Sequence, residues 1–363
     1  MKRVVYFSKM FQAVPHLAQV ERQLEGNFIS NRVSTLKAVK KFYPEMPRLR
    51  YFNKFGFASA GCRAMRDADV IVTGSSYPDF LGVFTAKKCS VFHGTYMFFT
   101  AKEAMEFSSF DLLCVIGPRM EGMLRRHAVV ADIATRKTGF LPFGEFPEKG
   151  DEQRQALLAR LGLDATQKTV LYTPSNRKIG SWLRVAEALI RTTPADINVI
   201  LRPHPRQALT PRAADRRHFA QLLQFASTKK NIFIDIAECA LPELLAIADV
   251  IISDANSPSE ESMFYGVPQL LIETPDFSRD TLVAWGKRDG MHDEDMAHLL
   301  TLYDCGENLW VDEPPDFSTV LYQVMENGHH YASQREHYFE WVFGERDRKA
   351  GERVAMAIKE QLL

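Results

Sequence analysis

The sequence has few of the features that identify a protein's chemistry at once. Its 363 residues include only five cysteines, Cys62, Cys89, Cys114, Cys239 and Cys305, scattered and without a Cys-x-x-Cys pair. That gives no thiolate metal framework and fits the reduced thiols of a cytosolic protein. Net charge is absent: Lys plus Arg and Asp plus Glu both number 45, so no global field favours nucleic acid. No apolar run approaches the roughly 20 residues of a membrane span. Met1-Lys2-Arg3 leads straight into a short apolar segment, Val4 to Phe7, with no signal-peptide core. Repeats and low-complexity segments are also missing. What remains is an ordinary globular composition, 46% hydrophobic and 25% charged, spread over more residues than one core usually holds. Two domains are therefore expected.

The most informative stretch runs from Ala248 to Glu273. Val250, Ile251 and Ile252 form one apolar run and Gln269 to Ile272 a second, as buried parallel strands do. Between them Asn256, Ser257 and Ser259 are N-cap residue types, Pro258 suits a first helical turn, and Gly266 with Pro268 ends the helix. A helix opening at the carboxyl end of a parallel strand directs N–H groups and a positive dipole end at a phosphate-sized crevice.

The same strand-and-helix alternation fills most of the chain. Strands are expected at Val4–Phe7, Asp69–Thr73, Lys88–Phe92 and Leu112–Ile116, and the last three end in Gly74-Ser75-Ser76, His93-Gly94-Thr95 and Gly117-Pro118-Arg119. A polar stretch, Glu145 to Gln153, separates this series from a second one. There the strands Thr169–Tyr172 and Asn198–Arg202 end in Thr173-Pro174-Ser175-Asn176-Arg177 and Pro203-His204-Pro205. Two such series predict two Rossmann-like domains facing each other across a cleft, over residues 1–145 and 146–330. The helices of 331–363 would cross back to the first domain, with Val354, Ile358 and Leu362 on one face. His204, flanked by two prolines that cannot donate backbone hydrogen bonds, is held outward as a base or a phosphate donor. From Lys37 to Phe57 the chain is basic and aromatic. It is either a solvated helix face over core aromatics or a landing surface for an anionic acceptor or lipid head groups.

Taken in order, these residues resemble the CDP-glycerol glycerophosphotransferase family, the teichoic-acid-type transferases of GT-B fold. The likeness lies in His93-Gly94-Thr95, Gly139-Phe140-Leu141-Pro142, Leu171-Tyr172-Thr173-Pro174-Ser175-Asn176-Arg177 and Arg202-Pro203-His204-Pro205. It continues through Ile251-Ile252-Ser253-Asp254, Gly266-Val267-Pro268 and the closing Asp347-Arg348-Lys349-Ala350-Gly351-Glu352-Arg353. The resemblance implies an α/β GT-B enzyme that uses a nucleotide-activated donor, CDP-glycerol favoured, without metal or cofactor. It would move a glycerophosphate-like group or sugar to a hydroxyl of a polymer or lipid-linked acceptor, for a teichoic-acid-like polymer, capsule or other surface glycan. His93 would be the base and His204 would stabilise the diphosphate and leaving group. The donor would be held by Arg177, Arg202, Ser253, Asp254, Asn256, Ser257, Ser259 and Glu261, with Ser75, Ser76, Gly94 and Thr95 on the acceptor side. Where the family continues after the first histidine with proline and a lysine, this chain has Tyr96-Met97-Phe98-Phe99. Its Ser253-Asp254-Ala255-Asn256-Ser257 lacks the family's tyrosine, and Asn176 stands where the family has tryptophan.

Two other functions fit the pattern. A non-hydrolysing UDP-sugar 2-epimerase would need carboxylates at the sugar, for which Asp254, Glu260 and Glu261 are available. A nucleotide-binding subunit without catalysis would need the donor residues alone. The expected location is cytoplasmic, with Lys37–Phe57 as the point of peripheral contact with the inner face of a membrane.

Overall fold

The computed structural model describes residues 3–46, 48–53, 59–95, 97, 99–176, 178–204, 207, 212–236 and 238–363. The chain divides into two compact units, residues 1–145 with 340–363, and 146–339. The second unit thus runs past residue 330 and ends inside the helix Ala332–Phe343.

The first unit is built on seven parallel strands in the order β3-β2-β1-β4-β5-β6-β7. They are β1 Val4–Phe7, β2 Asn27–Ser30, β3 Leu49–Tyr51, β4 Val70–Thr73, β5 Lys87–Ser90, β6 Leu112–Val115 and β7 Ala134–Lys137. The strands β1, β4 and β6 are buried throughout, which is why they read as apolar runs, broken only by Thr73 at the end of β4. The chain builds outward from β1 to β3, then returns to place β4 on the other side of β1. That reversal is the topological switch point of an open α/β sheet, and ligands bind beyond the carboxyl ends of strands flanking it.

The helix Ala350–Leu362 belongs to this first unit. Its Val354, Ile358 and Leu362 are buried in one core with Val14, Leu17 and Leu141. Each such aliphatic side chain contributes roughly 1.5–3 kcal/mol on burial, so the last helix is structural and not an appendage. Its neighbour in sequence, Val342–Gly344, lies against the turn after β6. A Cβ on Gly117 would stand 2.4 Å from the Val342 carbonyl oxygen. The Gly117 backbone is extended, with φ −165°, so close approach and not conformation requires glycine here.

The second unit holds six parallel strands in the order β10-β9-β8-β11-β12-β13. These are β8 Lys168–Thr173, β9 Ile197–Leu201, β10 Ile232–Ile234, β11 Val250–Ser253, β12 Gln269–Glu273 and β13 Glu307–Trp310. Its switch point lies between β8 and β11, whose ends pair in register, Thr173 with Ser253. The strands β2, β3, β7 and β13 go beyond the sequence expectation. β3 and β2 are three and four residues long, and β7 and β13 alternate or expose polar residues. Among the described residues no helix is long and apolar enough to cross a membrane.

Replacing Gly117 by alanine is expected to destabilise the first unit by about 2 kcal/mol, the usual scale for overpacking. A urea denaturation midpoint equal to that of the wild type would contradict the close packing assigned to this turn.

Candidate functional site

In the first unit the site forms at the carboxyl ends of β4 and β5. β5 stops at Ser90, two residues short of the expected end at Phe92, because the backbone turns there: Phe92 has φ +56° and Gly94 φ +75°. A bulky residue in the left-handed region costs on the order of 1–3 kcal/mol and persists only where its surroundings impose it. Here that turn projects His93, half-buried, beside β4.

The His93 Nδ1 lies 2.6 Å from the Gly74 carbonyl oxygen. A carbonyl only accepts, so Nδ1 carries the proton, and in the neutral ring Nε2 bears the lone pair. The Ser75 hydroxyl lies 3.3 Å from the same Nδ1. His16, buried and set edge-on against Phe140, accepts the Gly94 N–H at Nε2 over 3.5 Å. Burial, assisted by nearby His93, pushes its pKa down to about 3, so His16 stays neutral and acts as an acceptor. Arg119 is buried as well; its Nη2 donates to the Thr95 carbonyl at 2.7 Å and its guanidinium rests on Trp341 at 5.5 Å.

Of the four residues assigned to the acceptor side, Ser75 and Gly94 adjoin His93. Ser76 and Thr95 do not face outward: both are buried, and Ser76 donates to Glu106 at 2.5 Å. The turn Gly117-Pro118-Arg119 is visible in the sequence as a strand end, but the inward course of Arg119 is not, since arginine is usually exposed. His16 carries no signal at all, because it falls within the apolar run Val14-Pro15-His16-Leu17.

In the second unit Asp254 organises the switch point. It is 1% exposed. Its Oδ2 accepts the backbone N–H of Ser175 at 2.5 Å and of Ser181 at 3.0 Å, and its Oδ1 takes the Ser181 hydroxyl. Burial raises its pKa to about 6, against those hydrogen bonds. Asp254 therefore ties the loop after β8 to the end of β11 and does not present its carboxylate to a ligand. Ala255, next in the chain, has φ +49°.

Asn256 then caps the helix Ser257–Ser262, accepting the Ser259 N–H at 3.3 Å while its Nδ2 donates to the Thr173 carbonyl at 2.8 Å. Ser259 is buried with its hydroxyl on the Asn256 carbonyl at 2.7 Å, whereas Asn256 and Ser257 are partly exposed. Ser253 and Thr173 are register partners, so their side chains share a face. Both hydroxyls are buried with no hydrogen-bond partner among the described residues, a pair that ordered water or a ligand oxygen would satisfy.

Further along the same edge, Arg202 donates through Nη1 to Asp235 at 2.5 Å and to the Cys239 carbonyl at 2.8 Å. Asp235, itself buried, accepts the N–H groups of Glu238 and Cys239. Asp235 is thus the residue that fixes Arg202, and no sequence motif marked it. Glu261 is partly exposed; burial, and then the neighbouring Glu260 carboxylate, push its pKa up to about 8 against the pull of Arg202. Glu260 is buried and accepts the Tyr338 hydroxyl at 2.9 Å. His204 is half-buried, in a turn closed by the Gln207 N–H on its carbonyl at 2.7 Å. Arg177 and Pro205 lie outside the described residues. No group of three or more His, Cys, Asp or Glu side chains arranged to hold a metal occurs among the described residues.

These two sheets with their switch points define the class: an α/β protein of GT-B fold, with two Rossmann-like units. No protein-family model matches the sequence, and no curated protein matches it either. Solved structures do. The chain is similar to the wall teichoic acid polymerase TagF, with TM-score 0.65 and 14% identity over 99% of this chain and 88% of that one. It is similar to Alr3699/HepE of Anabaena in complex with UDP-glucose, with TM-score 0.60 and 12% identity over 99% and 100%. A glycosyltransferase from Rickettsia africae matches with TM-score 0.59 and 12% identity over 99% and 98%.

The raised Glu261 pKa has a definite sign in stability. Between 4.5 and about 8 the folded protein holds this proton while the unfolded chain releases it, so stability declines as pH rises through that window. Glu261→Gln is expected to match the wild type near the lower limit and to become progressively more stable than it toward the upper one. Parallel denaturation curves at every pH would show that Glu261 ionises normally.

Proposed function

We propose that this chain is a transferase that moves a sugar or glycerophosphate-like group from a nucleotide-diphosphate donor, CDP-glycerol favoured, to a hydroxyl of a cell-surface polymer or its lipid-linked precursor. The observation that carries this is His93. An imidazole whose Nδ1 proton is fixed on a carbonyl offers Nε2 as a general base, at the sheet edge where α/β folds bind substrates. The acceptor O–H gives its proton to Nε2 while its oxygen bonds to the transferred group. The bond to the nucleotide breaks at the same time, and its electron pair leaves with the nucleotide phosphate.

We assign the donor to the second unit. Its phosphates would lie at the N-terminal turn of Ser257–Ser262, beside Asn256 and Ser257, with Arg202, Arg177 and His204 supplying charge and no metal or cofactor taking part. Arg202 keeps its Nη1 on Asp235 and Cys239 and would meet a phosphate through its other nitrogens. Ser253 would act through its buried hydroxyl, Glu261 would contact the ribose hydroxyls, and Asp254 and Ser259 would shape the loop. Likeness of fold to TagF, of which one variant was soaked with CDPG, and to HepE with UDP-glucose supports a nucleotide-activated donor. Five buried cysteines, none in a disulfide, suit the cytoplasm. An epimerase is less well supported, since Asp254 and Glu260 are closed off by Ser175, Ser181 and Tyr338.

A thermal-shift panel of CMP, CDP, UDP and GDP compounds should single out one nucleotide, because a ligand specific for the folded chain stabilises it by about 2.7 kcal/mol at a hundred times its dissociation constant. With that donor, His93→Ala is expected to lower transfer by about 10²-fold or more while leaving donor binding intact. Transfer at the wild-type rate by a His93→Ala, His204→Ala double variant would remove the chemistry assigned to both.

A further inference from the structure

The switch point of the first unit lies between β1 and β4. Phe7 of β1 pairs in register with Ile29 of β2 and with Thr73 of β4. Two residues beyond these strand-end partners come Lys9, Asn31 and Ser75. Ser75 is the residue beside His93. A Cβ on Gly74 would stand 2.9 Å from the Cβ of Ala13, on the chain leaving β1, and 3.5 Å from the Cβ of His93. The chain after β1 and the His93 turn therefore border one crevice of the first unit, at the edge where such sheets bind ligands.

Lys9 supplies a cation to this crevice. It is partly exposed, and its ammonium lies 4.7 Å from the centroid of the Tyr77 ring and 5.2 Å from that of Phe80, both within reach of cation–π attraction. Tyr77 has a left-handed backbone, φ +41°, which persists in a bulky residue only where its surroundings impose it. Its hydroxyl accepts the Lys9 backbone N–H at 3.2 Å, and its ring packs edge-on against Phe7. The rings hold the ammonium without neutralising it, and Lys9 makes no ion pair or side-chain hydrogen bond among the described residues. On the neighbouring strand end the Asn31 Oδ1 is buried and receives no hydrogen bond among the described residues, a deficit that a ligand hydroxyl would meet.

We propose that Lys9 binds an oxyanion of the acceptor, a phosphate or a carboxylate, and that Asn31 takes one of the acceptor's hydroxyls. An ammonium fixed on aromatic faces meets an oxyanion as a preplaced point charge. The acceptor is then a polyhydroxylated anion and not a neutral glycan: Lys9 holds its charge, Asn31 one hydroxyl, and His93 receives the proton of another. This rests on the transferase reading, in which His93 is the base, and adds to it the charge of the acceptor.

The test follows the Cε resonance of Lys9 in the full chain labelled with carbon-13 lysine, assigned by its loss in a Lys9→Arg variant. The chain is titrated with glycerol 3-phosphate, glucuronate and glycerol, with no nucleotide present. An anion is expected to move the Lys9 signal saturably at a concentration at least about tenfold below that needed for glycerol, the scale of a hydrogen bond to a charged group. Movement by glycerol 3-phosphate assigns a phosphate and movement by glucuronate alone a carboxylate; either upholds the site. In the variants affinity is read by ligand-detected NMR, with the nucleotide selected by thermal shift filling the donor site. Lys9→Ala should weaken the anion at least about tenfold and leave the nucleotide's thermal shift unchanged, and Lys9→Arg should restore most of the affinity. The proposal is overturned if neither anion moves the signal, if glycerol moves it equally well, or if Lys9→Ala binds the anion as tightly as the wild type. Should no nucleotide bind, the transferase reading fails, while the titration of Lys9 without nucleotide still decides the oxyanion site.

Discussion

One hydrogen bond, from His93 Nδ1 to the carbonyl of Gly74, fixes what the first unit can do. It chooses the ring's tautomer and sets its orientation from the adjacent strand end. Everything around it maintains the geometry. Gly74 leaves room for the chain after β5, since a Cβ there would stand 2.9 Å from the Cβ of Ala13 and 3.1 Å from the Phe92 carbonyl oxygen. Phe92 accepts a left-handed backbone so that His93 turns back toward β4. Neutral His16 takes the Gly94 amide, and buried Arg119 takes the Thr95 carbonyl. A histidine held on both flanks in this way loses little further freedom when it meets a substrate, which is how preorganised groups lower a barrier.

The second unit solves a related problem with a carboxylate. Strands β8 and β11 flank the reversal of strand order, and their two loops would diverge without a common partner. Asp254 supplies it by receiving three donors from the 175–181 loop. Asn256 adds a second link from the same strand end to Thr173. The non-glycine residues with positive φ among those described, Tyr77, Phe92 and Ala255, all follow strand ends at β4, β5 and β11. Among the described residues, left-handed non-glycine backbone therefore falls at the carboxyl edges of the sheets, where ligands of such folds bind.

Much of this was legible in the sequence, for a definite reason. Strands buried on both faces, such as Val4–Phe7 and β11 up to Ile252, read as near-continuous apolar runs, so they stand out without any periodicity. Edge strands such as β7 and β13 are half-solvated and carry no such mark. The strand-end turns were equally visible, because glycine and small polar residues cluster there, and they led to His93, Asn256 and Ser257. What the sequence could not convey is direction. Ser75 meets His93 while Ser76, one residue on, faces Glu106. Asp254 and Ser259 look like ligand contacts by residue type, yet each spends its polar atoms inside the protein. Asp235 and His16 carry no sequence signal, and Arg119 none beyond its strand-end turn, because an isolated buried polar residue has no pattern; its partners come from distant segments.

The account's central claim is that the neutral His93 ring carries its proton on Nδ1. Nitrogen-15 spectra of histidine-labelled protein, assigned by comparison with a His93→Gln variant, read this tautomer directly. A protonated, pyrrole-like signal at Nδ1 with a pyridine-like Nε2 is the predicted result. The reverse assignment, with the proton on Nε2, would contradict it, because a ring so protonated has no lone pair at Nε2 with which to take an acceptor proton.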